Sequence, residues 1–142
     1  MITLDKIYHA AFVLKEVARR TDLIHATNLM KDVELYLKTE NLQVTGSFKL
    51  RGAYYKISQL TEEQKKAGII ACSAGNHAQG VALAATRQGA RSVVYMPDSA
   101  PISKVEATKR LGAEVVLVDG AYDDAYAAAV KAQEETGATF IH

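Results

Sequence analysis

A glycine-alanine pair recurs three times in the C-terminal half of the chain, at residues 89–90, 112–113 and 137–138. Each pair follows an alanine-rich stretch with helical periodicity and precedes a short run that is typical of a β-strand. Glycine adopts the left-handed conformation that ends many helices without a steric penalty, so each pair predicts a helix-to-strand joint. The pairs are about 23 to 25 residues apart, which fits one helix, one strand and two short loops. The repeat therefore predicts strands that alternate with helices.

These joints place four strands and three helices along the second half of the chain. The strands are predicted at residues 68–72, 92–96, 114–118 and 139–141, and the helices at residues 76–88, 103–111 and 122–136. Capping boxes are predicted for Thr61 with Gln64 and for Ser103 with Glu106. The strands are apolar nearly throughout, as expected when helices cover both faces of a sheet. We therefore predict an α/β fold with a three-layer open parallel sheet of about four strands flanked by helices.

The N-terminal half is less regular. Residues 4–19 predict an amphipathic helix. One face of this helix carries Ile7, Ala11, Leu14 and Ala18. Residues 33–37 alternate as a strand does, residues 40–46 are polar and predicted to form a loop, and residues 48–60 resume a helical pattern. The last predicted strand ends the chain at His142, so we expect the front part of a larger α/β protein.

The composition narrows the possible classes of function. Lys and Arg number 17 against 16 Asp and Glu, and a formal charge of +1 leaves no basic excess for binding nucleic acid. Cys72 is the single cysteine, which excludes an intramolecular disulfide and favours a reducing compartment. The longest apolar run near the N-terminus, residues 10–14, is too short for a signal peptide or a membrane span. We expect a cytoplasmic protein with no nucleic-acid or membrane partner.

The first segment that carries chemistry is Gly-Ser-Phe-Lys-Leu-Arg-Gly at residues 46–52. Its glycine-serine start predicts a helix whose first turn contains Lys49, where exposed N–H groups and the helix dipole disfavour another positive charge. A reactive amine near neutral pH would also require desolvation. The alternative is a solvated surface lysine, the more common role of a lysine at the start of a helix. The segment lacks the spacing of a nucleotide P-loop.

The second segment, residues 72–80, lies between a predicted strand and a predicted helix. A tight turn of small residues at this position presents N–H groups that bind a carboxylate or a phosphate. The alternative is a plain loop capped by Ser73 or Asn76. Cys72 and His77 also suggest a thiol nucleophile with a base, but a buried cysteine and a helix-start histidine are common structural features. The histidines show no metal-ligand spacing, so no metal site is predicted.

Together the two segments closely resemble the threonine dehydratase (threonine ammonia-lyase) family, and its biodegradative branch in particular. These are fold type II enzymes that depend on pyridoxal 5'-phosphate (PLP). The resemblance rests on Gly-Ser-Phe-Lys-Leu-Arg-Gly-Ala at residues 46–53 and Ala-Cys-Ser-Ala-Gly-Asn-His-Ala-Gln-Gly at residues 71–80. The two motifs stand in the family's order and at its spacing. The similarity continues through residues 103–105 and 140–142.

The resemblance implies a role for each matching residue. Lys49 would hold PLP through its amine and later act as the general base, and Phe48 would lie against the cofactor. Asn76 would hydrogen-bond the pyridine hydroxyl. The carboxylate of a small amino-acid substrate would bind to the turn formed by Ser73, Ala74, Gly75, Asn76 and His77. These roles imply β-elimination of L-threonine or L-serine, which gives 2-oxobutanoate or pyruvate and ammonia.

Ala74 favours elimination over racemisation within this resemblance. Serine racemases carry a serine at the matching position, and its hydroxyl serves as the acid or base on the opposite face of the cofactor. A methyl group cannot transfer a proton, so negligible racemase activity is expected from this sequence.

The resemblance also implies a domain organisation. Residues 1–52 would be the opening helix and strands of an incomplete large PLP domain, and residues 53–142 would be the small α/β domain. The family's glycine-rich phosphate loop would follow residue 142, so the cofactor site is expected to be incomplete in this chain. The alternative function is a catalytically inert, truncated module that binds small anions or self-associates. Apolar surface at residues 4–19 and 33–37 would then drive formation of a homo-oligomer or a domain-swapped assembly.

Overall fold

A computed structural model describes residues 1–142. It contains helices α1 (Leu4–Val13), α2 (Lys49–Ser58), α3 (Glu62–Ala67), α4 (Asn76–Arg87), α5 (Ile102–Arg110) and α6 (Tyr122–Thr136). The strands are β1 (Leu23–His25), β2 (Tyr36–Lys38), β3 (Ile69–Cys72), β4 (Ser92–Pro97), β5 (Glu114–Val118) and β6 (Thr139–Phe140). Short 3-10 turns occupy Leu14–Glu16, Glu40–Leu42 and Val44–Gly46. The predicted loop at residues 40–46 is thus two tight turns.

Four of the strands form one parallel sheet in the order β5-β4-β3-β6. A positive φ of 97° at Gly112 turns the chain from α5 into β5, as the glycine-alanine pairs predict. Along β3, Ile69 and Ala71 pack towards α2 and α4 on one face, whereas Ile70 and Cys72 pack towards α6 on the other. The predicted three-layer α/β fold with a parallel sheet is therefore confirmed.

Helices α2 and α4 pack closely against each other on one face of the sheet. Leu50 and Ile57 on α2 and Val81 and Ala84 on α4 are fully buried in a shared apolar cluster. Because the sequence places apolar residues on the facing sides of both helices, the start of α2 is held beside the N-terminal half of α4. This packing brings the two sequence segments that carry chemistry to the same end of the sheet.

The N-terminal helix is shorter than predicted. Helix α1 ends at Val13 and the 3-10 turn follows, whereas the sequence pattern extends the helix through residue 19. The backbone of Arg19 is held by Gln43, whose Oε1 accepts the Arg19 N–H at 2.7 Å and whose Nε2 donates to the Arg19 carbonyl at 2.8 Å. Both backbone groups of Arg19 therefore bond to a side chain and not to other backbone groups of a helix. The chain is no longer helical at Arg19.

The outer surface of α1 is apolar, and of the four residues on the predicted apolar face Leu14 packs against the core whereas Ile7 and Ala11 do not. Ile7 is 54% exposed and Ala11 is also exposed. The partly buried residues that contact the core are Val13, Leu14 and Val17. Large apolar side chains that are more than half exposed include Leu4, Tyr8 and Phe12. The apolar surface predicted for this region is thus present, but it covers more of the helix.

The strand predicted at residues 33–37 lies at Tyr36–Lys38 instead. It pairs antiparallel with β1, which the sequence pattern does not predict, so that Leu23 lies opposite Lys38 and His25 lies opposite Tyr36. Apolar alternation begins at Val33, but only the residues opposite β1 acquire a regular hydrogen-bonded ladder. The partner strand therefore decides where β2 begins.

One of the two predicted capping boxes forms. Thr61 Oγ1 accepts the Gln64 N–H at 3.2 Å, and Gln64 Oε1 accepts the Thr61 N–H at 2.9 Å. The Ser103–Glu106 box is wrong, because α5 already begins at Ile102 after Pro101 and Ser103 lies within the helix. Proline fixes its own φ near a helical value, so it sets the helix start one residue earlier.

The boundary predicted between residues 52 and 53 falls inside α2. Leu50 lies before this boundary and packs with Ala53 and Ile57 after it, in a single cluster. The division into two domains stays a prediction. None of the helices is both long enough and apolar enough to cross a membrane.

Candidate active site

One cavity of about 270 Å³ lies at the carboxyl ends of strands β3 and β6. It is lined by Lys49, Cys72, Ser73, Ala74, His77, Tyr122, Tyr126, Phe140 and His142. Ligand sites in open parallel sheets form at this edge, because the loops that follow the strands converge there. The structure therefore brings the predicted lysine and the predicted anion-binding turn to one cavity, although they are 24 residues apart in the sequence at Lys49 and Ser73.

Lys49 is the first residue of α2, as predicted. Its backbone N–H donates to Ser47 Oγ at 3.3 Å, and Ser47 is buried, so the start of the helix is held in place. The side-chain amine lies 5.3 Å from the centroid of the Phe48 ring, on which it makes a cation–π contact. An amine that contacts a ring and not a carboxylate is available to a ligand in the cavity.

The turn between β3 and α4 leaves a helix N-terminus open. Gly75 precedes α4, and no side chain caps the helix. Ser73 Oγ accepts the Gly75 N–H at 3.2 Å, which shapes the turn without occupying the first N–H groups of the helix. A Cβ built on Gly75 meets no atom within 4 Å, so there is open space beside the turn. Neither Ser73 nor Asn76 caps the helix, so its first N–H groups are open to an anion, and the anion site stays a prediction.

Asn76 is exposed at the start of α4 and contacts α5. Lys104 Nζ donates to Asn76 Oδ1 at 2.8 Å. Because an ammonium group only donates, this bond fixes the oxygen towards Lys104 and leaves the amide N–H groups of Asn76 free to donate. Gly75, Asn76 and Phe48 are not among the lining residues of the cavity. The structure thus gathers Lys49, Ser73, Ala74 and His77, and it leaves the other three predicted residues at the border.

His77 is tied to the end of the sheet. Its Nε2 lies 3.0 Å from the Ile141 carbonyl oxygen. A carbonyl only accepts, so Nε2 carries the proton and donates. Cys72 is buried, and burial raises the pKa of its thiol, which disfavours the thiolate. Because burial disfavours the thiolate and His77 makes its hydrogen bond with Ile141 and not with Cys72, the structure does not favour the hypothesis of a Cys72–His77 nucleophilic pair.

An aromatic wall completes the cavity, and the sequence analysis missed it. Phe140 and His142 stack with 4.5 Å between their ring centroids, and Tyr126 meets Phe140 edge-on at 5.6 Å. Tyr122 stacks beside Tyr126 at 6.3 Å. A signal was present for three of these four residues, because Tyr122 follows β5, Phe140 ends β6 and His142 lies just beyond it. All parallel strands of a sheet end at the same edge.

A polar cluster holds the segment that leads into α2. Arg51 makes an ion pair with Glu40, and Glu40 also accepts a hydrogen bond from the Thr21 hydroxyl. The hydrogen bonds from Arg51, before all other causes, lower the pKa of the Glu40 carboxyl to about 2. Gln43 lies 3.5 Å from the same carboxylate through its Nε2 atom. The network fixes the chain on either side of Lys49.

Comparisons with known proteins give these features a context. A profile of the family described as pyridoxal-phosphate dependent enzyme matches residues 14–142. The chain is 53% identical to L-threonine ammonia-lyase from Thermotoga maritima, over 100% of this chain and 36% of that protein. Maize serine racemase is similar in structure with a TM-score of 0.90 and 36% identity, over 98% of this chain and 43% of that one.

Threonine deaminase isoform 2 from Solanum lycopersicum is also similar, with a TM-score of 0.86 and 36% identity. The match covers 99% of this chain and 43% of that one. The chain thus spans between 36% and 43% of the length of these three proteins.

Proposed function

The chain belongs to the family of pyridoxal-phosphate dependent enzymes, and from this premise we propose that it forms part of an L-threonine and L-serine ammonia-lyase. The reaction would be a β-elimination that yields 2-oxobutanoate or pyruvate and ammonia. The observation that carries the proposal is the cavity in which Lys49 and the open turn at Ser73 meet. The similarity to an L-threonine ammonia-lyase and to a threonine deaminase supports this class of substrate. We expect the enzyme to act in the cytoplasm.

The residues around the cavity fit PLP. The aldehyde of PLP would react with an amine, and that amine must not be held in an ion pair with a carboxylate. The Lys49 amine contacts only the Phe48 ring. A ring hydroxyl needs a donor, and the amide N–H groups of Asn76 are free because Lys104 occupies the amide oxygen. Lys49 would hold the cofactor, Asn76 would hydrogen-bond its hydroxyl, and Phe48 would lie against its ring. When bound, PLP supplies an electron sink for the negative charge that develops at the substrate α-carbon.

The substrate would be held at the turn. Its carboxylate would accept hydrogen bonds from the uncapped N–H groups at the start of α4, where the helix dipole favours a negative charge. Ser73, Ala74, Gly75, Asn76 and His77 would form this cradle. The bond from His77 to Ile141 ties the first turn of α4 to the end of the sheet, so the cradle keeps its shape.

Lys49 would also move the proton. The Nζ of Lys49 would remove the α-proton of the bound substrate as the general base. The Ala74 methyl lines the same cavity and cannot return a proton from the other face. The arrangement therefore supports elimination of the β-hydroxyl over racemisation.

The test is a lyase assay on the complete protein that contains this chain. The wild type should release 2-oxobutanoate from L-threonine, and Lys49→Ala should lower kcat by at least about 10³-fold, because both roles of the amine are lost. Lys56→Ala is the matched control, since Lys56 is exposed near the other end of α2. Equal activity of the two variants, or no release of a keto acid by the wild type, would contradict the proposal.

A second candidate is favoured by the exposed apolar surface of α1. In this alternative the 142-residue chain is a catalytically inert module that binds small anions or self-associates. The lyase assay on the 142-residue chain itself, supplied with PLP, distinguishes the two candidate functions. Turnover by this chain would contradict the inert alternative, and turnover only by the complete protein would support it for the isolated chain.

A further inference from the structure

Gly80 brings the backbone of α4 against the backbone of α2 at Lys49. A Cβ built on Gly80 would lie 3.0 Å from the carbonyl carbon of Lys49, and 3.1 Å from both the Lys49 oxygen and the Leu50 nitrogen. All three are backbone atoms, so no flexible side chain can move aside. At such distances the neighbouring chain must give way by a few tenths of an ångström. Only glycine allows the two helices to approach this closely.

The rest of the interface leaves α2 little freedom to absorb such a change. Leu50 and Ile57 on α2 are fully buried against α4. At the far end of the pair, Gln88 Nε2 donates to the Tyr54 carbonyl at 3.0 Å. Closely packed interiors transmit strain, because they contain few voids to take it up. A side chain added at Gly80 would therefore displace the start of α2, which carries Lys49.

We propose that Gly80 is a positioning residue that sets the separation between the Lys49 amine and the carboxylate-binding turn. Gly80 lies on α4, the helix whose N-terminus forms that turn, and it contacts the backbone that carries the amine. One helix thus determines both where the substrate carboxylate sits and how far the general base lies from it. This inference rests on the proposed function for its catalytic consequence, but its geometric content does not depend on that function.

The test is Gly80→Ala in the complete protein. Alanine is a better helix former than glycine, so the substitution favours α4 itself and the variant should fold. We expect a crystal structure to show the Lys49 backbone moved away from α4 by a few tenths of an ångström. We also expect kcat to fall about tenfold while KM changes less than about twofold, because the turn stays on the sheet and only the base moves.

Leu83→Ala is the matched control. Leu83 is a buried residue of α4 in the same apolar cluster, but its truncation removes volume and does not push on α2. This variant should lower the thermal midpoint and leave both the Lys49 position and kcat near the wild-type values. A fall in kcat of equal size in Leu83→Ala would show that loss of stability explains the effect, and would overturn the role of Gly80.

A second substitution that enlarges a side chain between α4 and α2 keeps the proposal testable if Gly80→Ala does not fold. Ala84 is fully buried on the same face, one turn further along α4, so Ala84→Val should push α2 from a point more distant from Lys49. We expect a smaller fall in kcat at unchanged KM, and an unchanged kcat would overturn the proposal.

The two proposals fail in different ways. If the wild type has no lyase activity, the proposed function fails, and the position of Lys49 in the Gly80→Ala crystal still tests the role of Gly80. If the wild type is active, and Gly80→Ala keeps both the Lys49 position and kcat, only the role of Gly80 is overturned.

Discussion

Arg51 and Glu40 form a two-point ion pair, in which Nε donates to Oε2 and Nη2 donates to Oε1, each at 2.8 Å. Arg51 lies in the same helical turn as Lys49, and Glu40 lies in the polar segment that precedes it. Arg51 Nη2 also donates to the Arg19 carbonyl at 3.2 Å. The pair therefore fastens α2 to the N-terminal elements at the point where the amine is presented.

This pair makes stability depend on acid pH. The folded protein lowers the pKa of Glu40 from 4.5 to about 2, so folding favours the charged carboxylate. Its contribution to the free energy of unfolding is present above pH 4.5 and is lost as the pH falls from 4.5 towards 2. Glu40→Gln should lower that free energy by about 1–2 kcal/mol at pH 7, and should flatten the acid side of the stability profile.

Thermal midpoints of the complete protein between pH 7 and pH 3 would measure this effect. Glu134→Gln, at an exposed position on α6, is the control and should follow the wild type. An acid slope that is unchanged in Glu40→Gln would show that other groups control acid unfolding.

The Lys104–Asn76 bond should matter for the cofactor. Lys104→Met removes the donor that holds the Asn76 oxygen, so the amide would be free to rotate away from the ring hydroxyl that it is proposed to bind. In an absorbance titration, we expect the Kd for PLP to rise about 3- to 10-fold, because that change corresponds to the free energy of one hydrogen bond. Lys109→Met is the control, because Lys109 pairs only with Glu106 on the outer face of α5. Equal PLP affinity in both variants would contradict a role for the Lys104–Asn76 bond in cofactor binding.

Ala74 predicts which product the enzyme forms from L-serine. Ala74 lines the cavity, and a methyl group cannot transfer the proton that racemisation would need, so pyruvate should form much faster than D-serine. Chiral chromatography of the complete enzyme incubated with L-serine measures both products. D-serine that appears as fast as pyruvate would overturn the preference for elimination. The structural similarity to maize serine racemase does not decide the matter, because the two reactions share a fold.

The exposed apolar side chains of α1 predict association between copies of the protein. Phe12 is 69% exposed and Tyr8 is 66% exposed on a helix that has no buried residue. We expect the 142-residue chain to be a homo-oligomer in light scattering, and Phe12→Glu should shift it towards smaller species. A monomer at high concentration would count against this expectation.

Local signals explain why much of the fold is predictable from the sequence. Gly137 ends α6 in the left-handed conformation, and the Thr61–Gln64 box needs only four residues, so neither depends on distant contacts. Strand β1 has no such signal, since three residues become a strand only when β2 lies opposite. Gln43, which bonds to the Arg19 backbone where the chain is no longer helical, lies 24 residues further along the sequence.

The same distinction applies to the candidate site. Lys49 and the turn at Ser73 stand in recognisable motifs, whereas the aromatic wall at Tyr126 and Phe140 follows from how the strand ends converge. The bond between Lys104 and Asn76 joins positions 28 residues apart on two helices, and no local pattern indicates it. Sequence motifs thus identify the reacting groups, and tertiary packing supplies the groups that orient them.

The most direct test of the role of Lys49 is to map the lysine that carries the cofactor. The complete protein would be incubated with PLP, reduced with borohydride and digested, and the modified peptide would be identified by mass spectrometry. We predict one pyridoxyl group on Lys49, absent from Lys49→Ala and retained in Lys56→Ala. Modification of another lysine, or modification scattered over surface lysines, would contradict the assignment of Lys49 to the active site.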